Sequence, residues 1–177
     1  MSAAQSSSGG FVRWGVIGCA SIARKNVNAI RLSPNSTLVA MASRNKKKCV
    51  QWCQDHLTSE ENERVKKYGS YTALLEDPDI DAVYLPLPTA LHKAWAARVI
   101  AAGKHLLIEK PAALCLEDLR ETTEACQKHG RVFMDGVMFN HHKRLQKILG
   151  RVADPVFGRV SRITSGFSFH ADESWKQ

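Results

Sequence analysis

Glu109-Lys110-Pro111 directly follows the apolar run His105-Leu106-Leu107-Ile108, so a short buried strand would deliver a lysine at its carboxyl end. A lysine raised into a cleft in this way is partly desolvated; burial favours its neutral form, and a neutral amine can take or give a proton. Glu109 would hold the charge and orientation of Lys110, and a cis bond before Pro111 would aim the side chain. The tripeptide reads equally as a solvated charged pair ending a strand. A second chemical feature lies near the start. Trp14-Gly15-Val16-Ile17 reads as a strand, Gly18 to Ala23 as a tight small-residue turn, and Ser21 as the N-cap of an amphipathic helix running to Leu32. First-turn amides have no intrahelical partner and the helix dipole favours an anion there. A pyrophosphate on Gly18, Cys19, Ala20, Ser21 and Ile22 is the corresponding expectation. The sequence Gly18-x-Ala20-x-x-Ala23 departs from the dinucleotide fingerprint G-x-G-x-x-G/A, because an alanine methyl stands where the second glycine lets backbone approach phosphate. An ordinary strand-to-helix connection has the same look.

Residues 37–43 form a second apolar run that ends in Ser43-Arg44. Arg44 stands about where a dinucleotide fold reads the adenosine ribose, roughly 20 residues past the fingerprint. An acidic residue there would bind the 2′-hydroxyl of NAD, whereas Ser43 and Arg44 offer a hydroxyl and a planar fork to a 2′-phosphate. NADP is therefore the expected cofactor, with NAD as the alternative. Lys46, Lys47 and Lys48 read as a solvated helix start. Farther along, residues 82–85 run into Pro86-Leu87-Pro88-Thr89, a turn at the carboxyl end of a strand, where open α/β sheets keep their ligands. Thr89 would cap the next helix, which ends at Gly103. His92 in its first turn reads as a surface or capping histidine, with cofactor contact as the alternative.

Strands and helices alternate through this region, as expected for an α/β doubly wound parallel sheet. Residues 71–75 read as one helical turn, and residues 58–67 as a charged connection without an assigned element. The chain has 177 residues, 44% hydrophobic and 24% charged, a net charge of +8 and five cysteines. Such a composition fits a globular domain, with or without the start of another. Residues 1–10 lack the basic and apolar regions of a signal peptide and read as a flexible leader. No apolar run approaches the roughly 20 residues of a membrane-spanning helix, and a cytoplasmic location follows as the expectation. The odd, irregular cysteine count implies reduced thiols. Cys49, Cys53 and His56 share one helix face, but no companion pair closes a zinc site, so no metal is expected. The basic residues are spread over helix faces without interleaved aromatics, which argues against nucleic-acid binding.

Taken together, W-G-V-I-G-C-A-S-I-A, A-S-R, Y-L-P-L-P-T-A-L-H, G-K-H-L-L-I-E-K-P and F-M-D-G-V-M-F-N-H-H resemble the Gfo/Idh/MocA oxidoreductase family, in its dihydrodiol dehydrogenase and D-xylose 1-dehydrogenase-like branch. The resemblance covers about residues 12–170. It implies a Rossmann domain over residues 11–140 and a catalytic Lys110. It places Leu85, Pro86, Leu87, Thr89, His92 and Glu109 along the cofactor. Asn140 and His141 or His142 would face the cofactor from the following segment, with Lys143 standing where a proline is usual. Residues 161–169 alternate like a strand of the family's second domain, so residues 141–177 are expected to begin a truncated substrate domain. The implied function is hydride transfer between NADP and a sugar or cyclic diol, this chain being mainly the cofactor half and a homo-oligomer in its full-length form. The alternative is a nucleotide-binding sensor or remnant without turnover.

Overall fold

The computed structural model describes residues 11–166 and 168. Six strands form one sheet: β1 (Val12–Ile17), β2 (Ser36–Ala42), β3 (Lys66–Tyr68), β4 (Ala82–Leu85), β5 (His105–Ile108) and β6 (Phe133–Asp135). Every pairing is parallel and the order is β3-β2-β1-β4-β5-β6. The order in which strands are added reverses between β1 and β4, which opens a crevice beyond their carboxyl ends. The doubly wound Rossmann fold expected from the sequence is the fold observed.

Alternation along the central strands sorts side chains between two cores. Val16, Met41 and Tyr84 pack on one face with α1 (Ala23–Leu32) and α2 (Lys46–His56), which contribute Val27, Ile30, Cys49, Trp52 and Cys53. Ile17, Ala40, Ala42, Val83 and Leu85 pack on the other. There they meet Leu74 and Leu75 of α4 (Tyr71–Leu75) and Ala96 and Val99 of α5 (His92–Ala101). Burial on both faces is why these strands read as continuous apolar runs.

Residues 58–67 hold a helix after all. Between α2 and β3 runs α3 (Ser59–Arg64), closed at its start by a capping box. Glu61 Oε2 accepts from the Thr58 backbone at 3.0 Å, and Thr58 Oγ1 accepts from the Glu61 backbone at 3.3 Å. After β5 comes α6 (Leu116–Lys128), followed by β6.

The chain divides into two compact units, one ending at Val137 and the other beginning at Met138. The second contains α7 (Lys143–Val152) between two short 3₁₀ turns, Met138–His141 and Pro155–Phe157. The strand expected over residues 161–169 is corrected in part: residues 161–166 and 168 take no regular structure, and 167 and 169 lie outside the described residues. A strand must satisfy its amides on a neighbour, and none of the described residues pairs with this run.

Candidate cofactor site

The carboxyl ends of β1, β2 and β4 enclose a cleft of about 250 Å³. Gly18, Cys19 and Ala20 line it after β1, Ser43 and Arg44 after β2, and Pro86 and Leu87 after β4. Gly18 has φ +116°, and a Cβ there would stand 2.9 Å from Leu87 Cδ2. Only glycine suits both the conformation and the space. Helix α1 begins at Ala23, with Ile22 in the capping position and no side-chain cap bond. The Ser21 cap is therefore corrected: the backbone has already entered the helical region at Ile22, and the exposed Ser21 hydroxyl bonds no first-turn amide. Among the described residues, the N–H groups of residues 19–22 donate to no protein acceptor, whereas those of Ala23, Arg24 and Lys25 turn back onto residues 20–22. Four unpaired amides beside a left-handed glycine suit the pyrophosphate of a dinucleotide.

On the adenosine side, Ser43 is buried and Ser43 Oγ accepts from the Asn45 backbone at 3.3 Å. Arg44 is exposed at the cleft edge and draws down the phenol of the buried Tyr71, although burial is the larger influence and leaves that phenol above its usual range. Asn45 is the N-cap of α2, accepting from the Lys48 backbone at 3.2 Å. That cap turns Lys48 into the cleft lining, so Lys48 is a site-facing cation where the sequence suggests a solvated helix start. Tyr71 and Lys48 were both invisible as cleft residues from the sequence, since one reads as a helix core position and the other as one of three surface lysines.

Two buried side chains connect the turns around the cleft. His92 is 1% exposed, not the surface residue its first-turn position suggests. Its Nε2 lies 2.7 Å from the Leu87 carbonyl oxygen and its Nδ1 3.1 Å from that of Pro111. The ring thereby ties the Pro86-Leu87-Pro88 turn to the turn carrying Lys110. Thr89 does not cap α5; it opens a 3₁₀ turn, Thr89–Leu91, preceded by Pro88, and α5 starts at His92 without a side-chain cap. Glu109 is also buried. Its Oε1 accepts from the Tyr84 hydroxyl at 2.6 Å and from Asn26 Nδ2 at 3.2 Å, while Oε2 accepts from the Lys110 backbone at 3.2 Å. Burial raises the Tyr84 phenol well above its usual range, and the Glu109 carboxylate adds to the shift. Packing here is close: a Cβ on Gly136 would stand 3.2 Å from Glu109 Oε2. Asn26 and Tyr84 are site residues that sequence reasoning missed.

Glu109 thus does not hold the Lys110 ammonium, as the sequence suggests, because its lone pairs are taken by Tyr84, Asn26 and a backbone amide. Lys110 itself is exposed, not partly desolvated, and is joined to Pro111 by a cis peptide bond. Among the described residues Lys110, Arg44 and Lys48 form no ion pair. Leu85 ends β4 fully buried, beneath the cleft instead of on its surface. Asn140 and His141 are exposed in the Met138–His141 turn of the second unit. No cluster of metal-ligating side chains occurs among the described residues. A larger groove of about 480 Å³ runs between α1 and α2, lined by Arg24, Arg31, Trp52 and His56. It lies along helix flanks and shares no lining residue with the cleft at the strand ends.

Comparison with known proteins bears on this site. A dTDP-3,4-didehydro-2,6-dideoxy-alpha-D-glucose 3-reductase from Actinomadura kijaniata is 34% identical over 158 residues, covering 89% of this chain and 46% of the reductase. The D-xylose 1-dehydrogenase (NADP(+)) 2 of Haloferax volcanii is 31% identical over 156 residues, covering 88% of this chain and 46% of the enzyme. The chain therefore spans about half the length of the curated relatives it matches. A crystal structure of the 3-ketoreductase from Actinomadura kijaniata, in complex with NADP and TDP-benzene, superposes with a TM-score of 0.72 at 32% identity, covering 80% of this chain and 42% of that one. The Gfo/Idh/MocA family model, an oxidoreductase family with an NAD-binding Rossmann fold, matches residues 12–137. A parallel sheet whose strand order reverses between β1 and β4, unpaired amides at the first turn and a family match over residues 12–137 agree: this chain belongs to the Gfo/Idh/MocA family of NAD(P)-dependent oxidoreductases.

Proposed function

We propose that the chain binds NADP in the cleft at the carboxyl ends of β1, β2 and β4 and serves a dehydrogenase acting on a hydroxyl or ketone of a sugar or cyclic diol. The observation that carries this reading is Ser43-Arg44 at the mouth of the cleft: a buried hydroxyl-bearing residue and an exposed guanidinium with no ion pair among the described residues, opposite the amides of residues 19–22, which have no acceptor among those residues either. A planar donor fork suits a phosphate dianion, and no carboxylate among the described residues lines that cleft to accept a hydrogen bond from a 2′-hydroxyl. NADP, when bound, supplies the capacity to take or give hydride. The residues of the chain do the rest. Gly18 and the amides of residues 19–22 hold the pyrophosphate, and Arg44 the 2′-phosphate. Leu87 and Pro86 form the apolar wall, with Leu85 and Thr89 beneath and beside it. His92 fixes the spacing of that wall from the Lys110 turn, and Glu109 locks β5 to β4 and α1. Lys110 moves the proton of the reacting hydroxyl. It is the only ionisable side chain offered by the Glu109-Lys110-Pro111 turn, since Glu109 is turned inward. The family resemblance assigns Asn140 and His141 to the cofactor as well, and residues 141–177 to the start of the substrate-binding portion. A cytoplasmic, homo-oligomeric protein fits this reading; no helix among the described residues is long and apolar enough to cross a membrane.

Titration of the chain with NADPH and NADH, followed by nicotinamide fluorescence or calorimetry, tests the cofactor assignment. Saturable NADPH binding about tenfold or more tighter than NADH is expected from one charge-assisted contact to phosphate. Equal affinities would remove the role of Arg44. Where turnover is measured, Lys110→Met should leave NADPH affinity within a few fold and lower the rate by about 10²-fold or more, the usual scale of acid–base help. Loss of both in equal measure would make Lys110 a cofactor anchor instead.

A further inference from the structure

The first-turn cysteine does not stand alone. Cys19 is half-buried and lines the cleft, and its inner side packs against the core cluster that contains Cys49 and Cys53. Topology brings these residues together. The backbone N–H of Gly18 donates to the Ala42 carbonyl at 2.8 Å, so the turn after β1 lies beside the turn after β2, and Cys49 sits in the first turns of the helix that follows. Cys49 and Cys53, one helical turn apart, are both fully buried. Cys19 lines the cleft together with Ser43 and Lys48, the residue before Cys49, and Cys49 and Cys53 both lie in the cluster that it packs against. Three thiols thus lead from the cofactor turn into the core, and only the first faces solvent.

We propose that Cys19 and Cys49 form a peroxide-sensitive thiol pair that governs access to the dinucleotide turn. The chemistry balances in two steps. Cys19 Sγ attacks one oxygen of hydrogen peroxide; the O–O bond breaks, water leaves, and Cys19 becomes a sulfenic acid. Cys49 Sγ then attacks Cys19 Sγ, forming the disulfide and expelling the sulfenic oxygen as a second water. Two thiols lose two electrons and two protons, and the peroxide is reduced to two waters. The surroundings favour this order. Contact with the Cys49 thiol, with help from Lys48 and Ser43, lowers the Cys19 thiol from its ordinary range, while the neighbouring thiols and burial raise that of Cys49. Cys19 is accordingly the nucleophile that meets the oxidant, and Cys49 resolves it from a site the oxidant cannot reach. A bond between them draws the Cys19 side chain into the core and pulls the amides of residues 19–22 away from the arrangement that suits pyrophosphate. Bound cofactor, conversely, covers Cys19.

The loss of cofactor affinity rests on the NADP reading above, but the disulfide does not, so the two can fail separately. The test treats the 177-residue chain carrying Cys115→Ser, which removes an exposed thiol that does not line the cleft, with hydrogen peroxide. Expected are an intact mass lower by two hydrogens and a tryptic cross-link joining residues 14–24 to 49–64, with chymotryptic cleavage after Trp52 assigning the partner to Cys49. NADPH affinity should fall by about tenfold or more, the equivalent of one charge-assisted hydrogen bond, and return with dithiothreitol. Prior saturation with NADPH should slow the cross-link. Cys49→Ala should retain NADPH affinity after the same treatment. Because the cross-link is mapped without a core substitution, misfolding of Cys49→Ala leaves the test intact. Sulfenic or sulfinic acid at Cys19 without a cross-link, or a link to Cys53, overturns the pairing. A mapped Cys19–Cys49 link with unchanged NADPH affinity overturns its control of the turn.

Discussion

The two ends of the sheet are built on opposite electrostatic plans. At the amino ends of the strands, charges are matched. Arg13 donates to Asp81 from its backbone at 2.9 Å, from Nε at 3.0 Å and from Nη2 at 2.8 Å. Lys66 bridges Asp77 and Asp79, and Tyr68 donates to Asp77 at 2.8 Å. Lys104, buried at 8% exposure, donates to the carbonyl oxygens of Asp77 and Ile80, each at 2.8 Å, and burial holds its ammonium below the usual range. At the carboxyl ends, Arg44, Lys48 and Lys110 have no ion pair among the described residues and the amides of residues 19–22 have no acceptor. Their surplus of positive donors is structurally idle. One end is a girdle that holds the fold, and the other is a set of donors held ready for an anion. Substitutions at the two ends should therefore separate stability from binding.

The largest separation is expected at Arg44. Arg44→Asp removes a charge-assisted contact to the 2′-phosphate and adds a repulsive carboxylate, so NADPH affinity should fall by about 10²-fold, while NADH affinity holds or rises. Calorimetric titration reads both, and thermal unfolding without cofactor should be unchanged. A matched loss of stability would mean that Arg44 belongs to the girdle.

Lys104 is the converse case. Lys104→Met leaves the buried Ile80 carbonyl oxygen without a donor and the Asp77 carbonyl oxygen with only the Ile80 backbone N–H at 3.4 Å, and should destabilise the fold by about 2 kcal/mol, the usual penalty for unsatisfied buried polar groups. Urea unfolding measures that loss. NADPH affinity of the folded variant should equal that of the parent, and a change in it would show that the two ends are coupled through β4 and β5.

Asp81 gives a smaller effect with a pH signature. Its carboxyl is held below the usual range, mainly by the hydrogen bond from Arg13. A carboxylate with a lowered folded-state pKa contributes stability that is fully present above the unfolded value, near 4, and is lost as pH falls through the folded value. Both partners are more than a third exposed, so solvent screening keeps the contribution small. Asp81→Asn should lower the melting temperature at pH 7 by a few degrees at most. Below about pH 4 the difference from the parent should shrink toward zero. A difference that persists at pH 2 would assign the effect to packing.

How much of this arrangement is legible in the sequence depends on how local each part is. Strands buried on both faces announce themselves as apolar runs, so β1, β2, β4 and β5 are readable. Gly18 and Arg44 are readable as cleft positions because a turn and a strand end each carry their own chemistry. In contrast, α3 has no buried residue and hence no periodicity; only the capping box Thr58-x-x-Glu61 betrays it. The edge strand β3 reads Lys-Lys-Tyr, since edges carry charge where interiors carry valine. The Glu109 network is harder still. Tyr84 and Asn26 stand 25 and 83 positions away, and nothing in the sequence distinguishes Tyr84 from its apolar neighbours in β4. His92 misleads for the same reason: a first-turn position predicts exposure, but two loops fold over it.

Lys48 offers the finest test of the contrast. Like Lys66 at the other end of the sheet it is an exposed lysine near the end of a secondary-structure element, yet Lys66 bridges two aspartates and Lys48 has no ion pair among the described residues. The Asn45 cap fixes its backbone so that it lines the cleft. As a mobile ammonium it acts by charge at a distance, an interaction worth about 1 kcal/mol at 4 Å in water and less farther away. Lys48→Gln should therefore weaken NADPH binding by about threefold in dilute buffer, and the difference should vanish near 1 M salt, where the screening length is about 3 Å. Lys66→Gln should leave NADPH affinity untouched at every salt concentration and lower stability instead. If Lys48→Gln weakens NADH as much as NADPH, the lysine acts on the pyrophosphate they share, and discrimination between them falls to Arg44. If its effect survives high salt, the ammonium makes a direct contact, and the idle charge at this end of the sheet is a defined second donor to the cofactor.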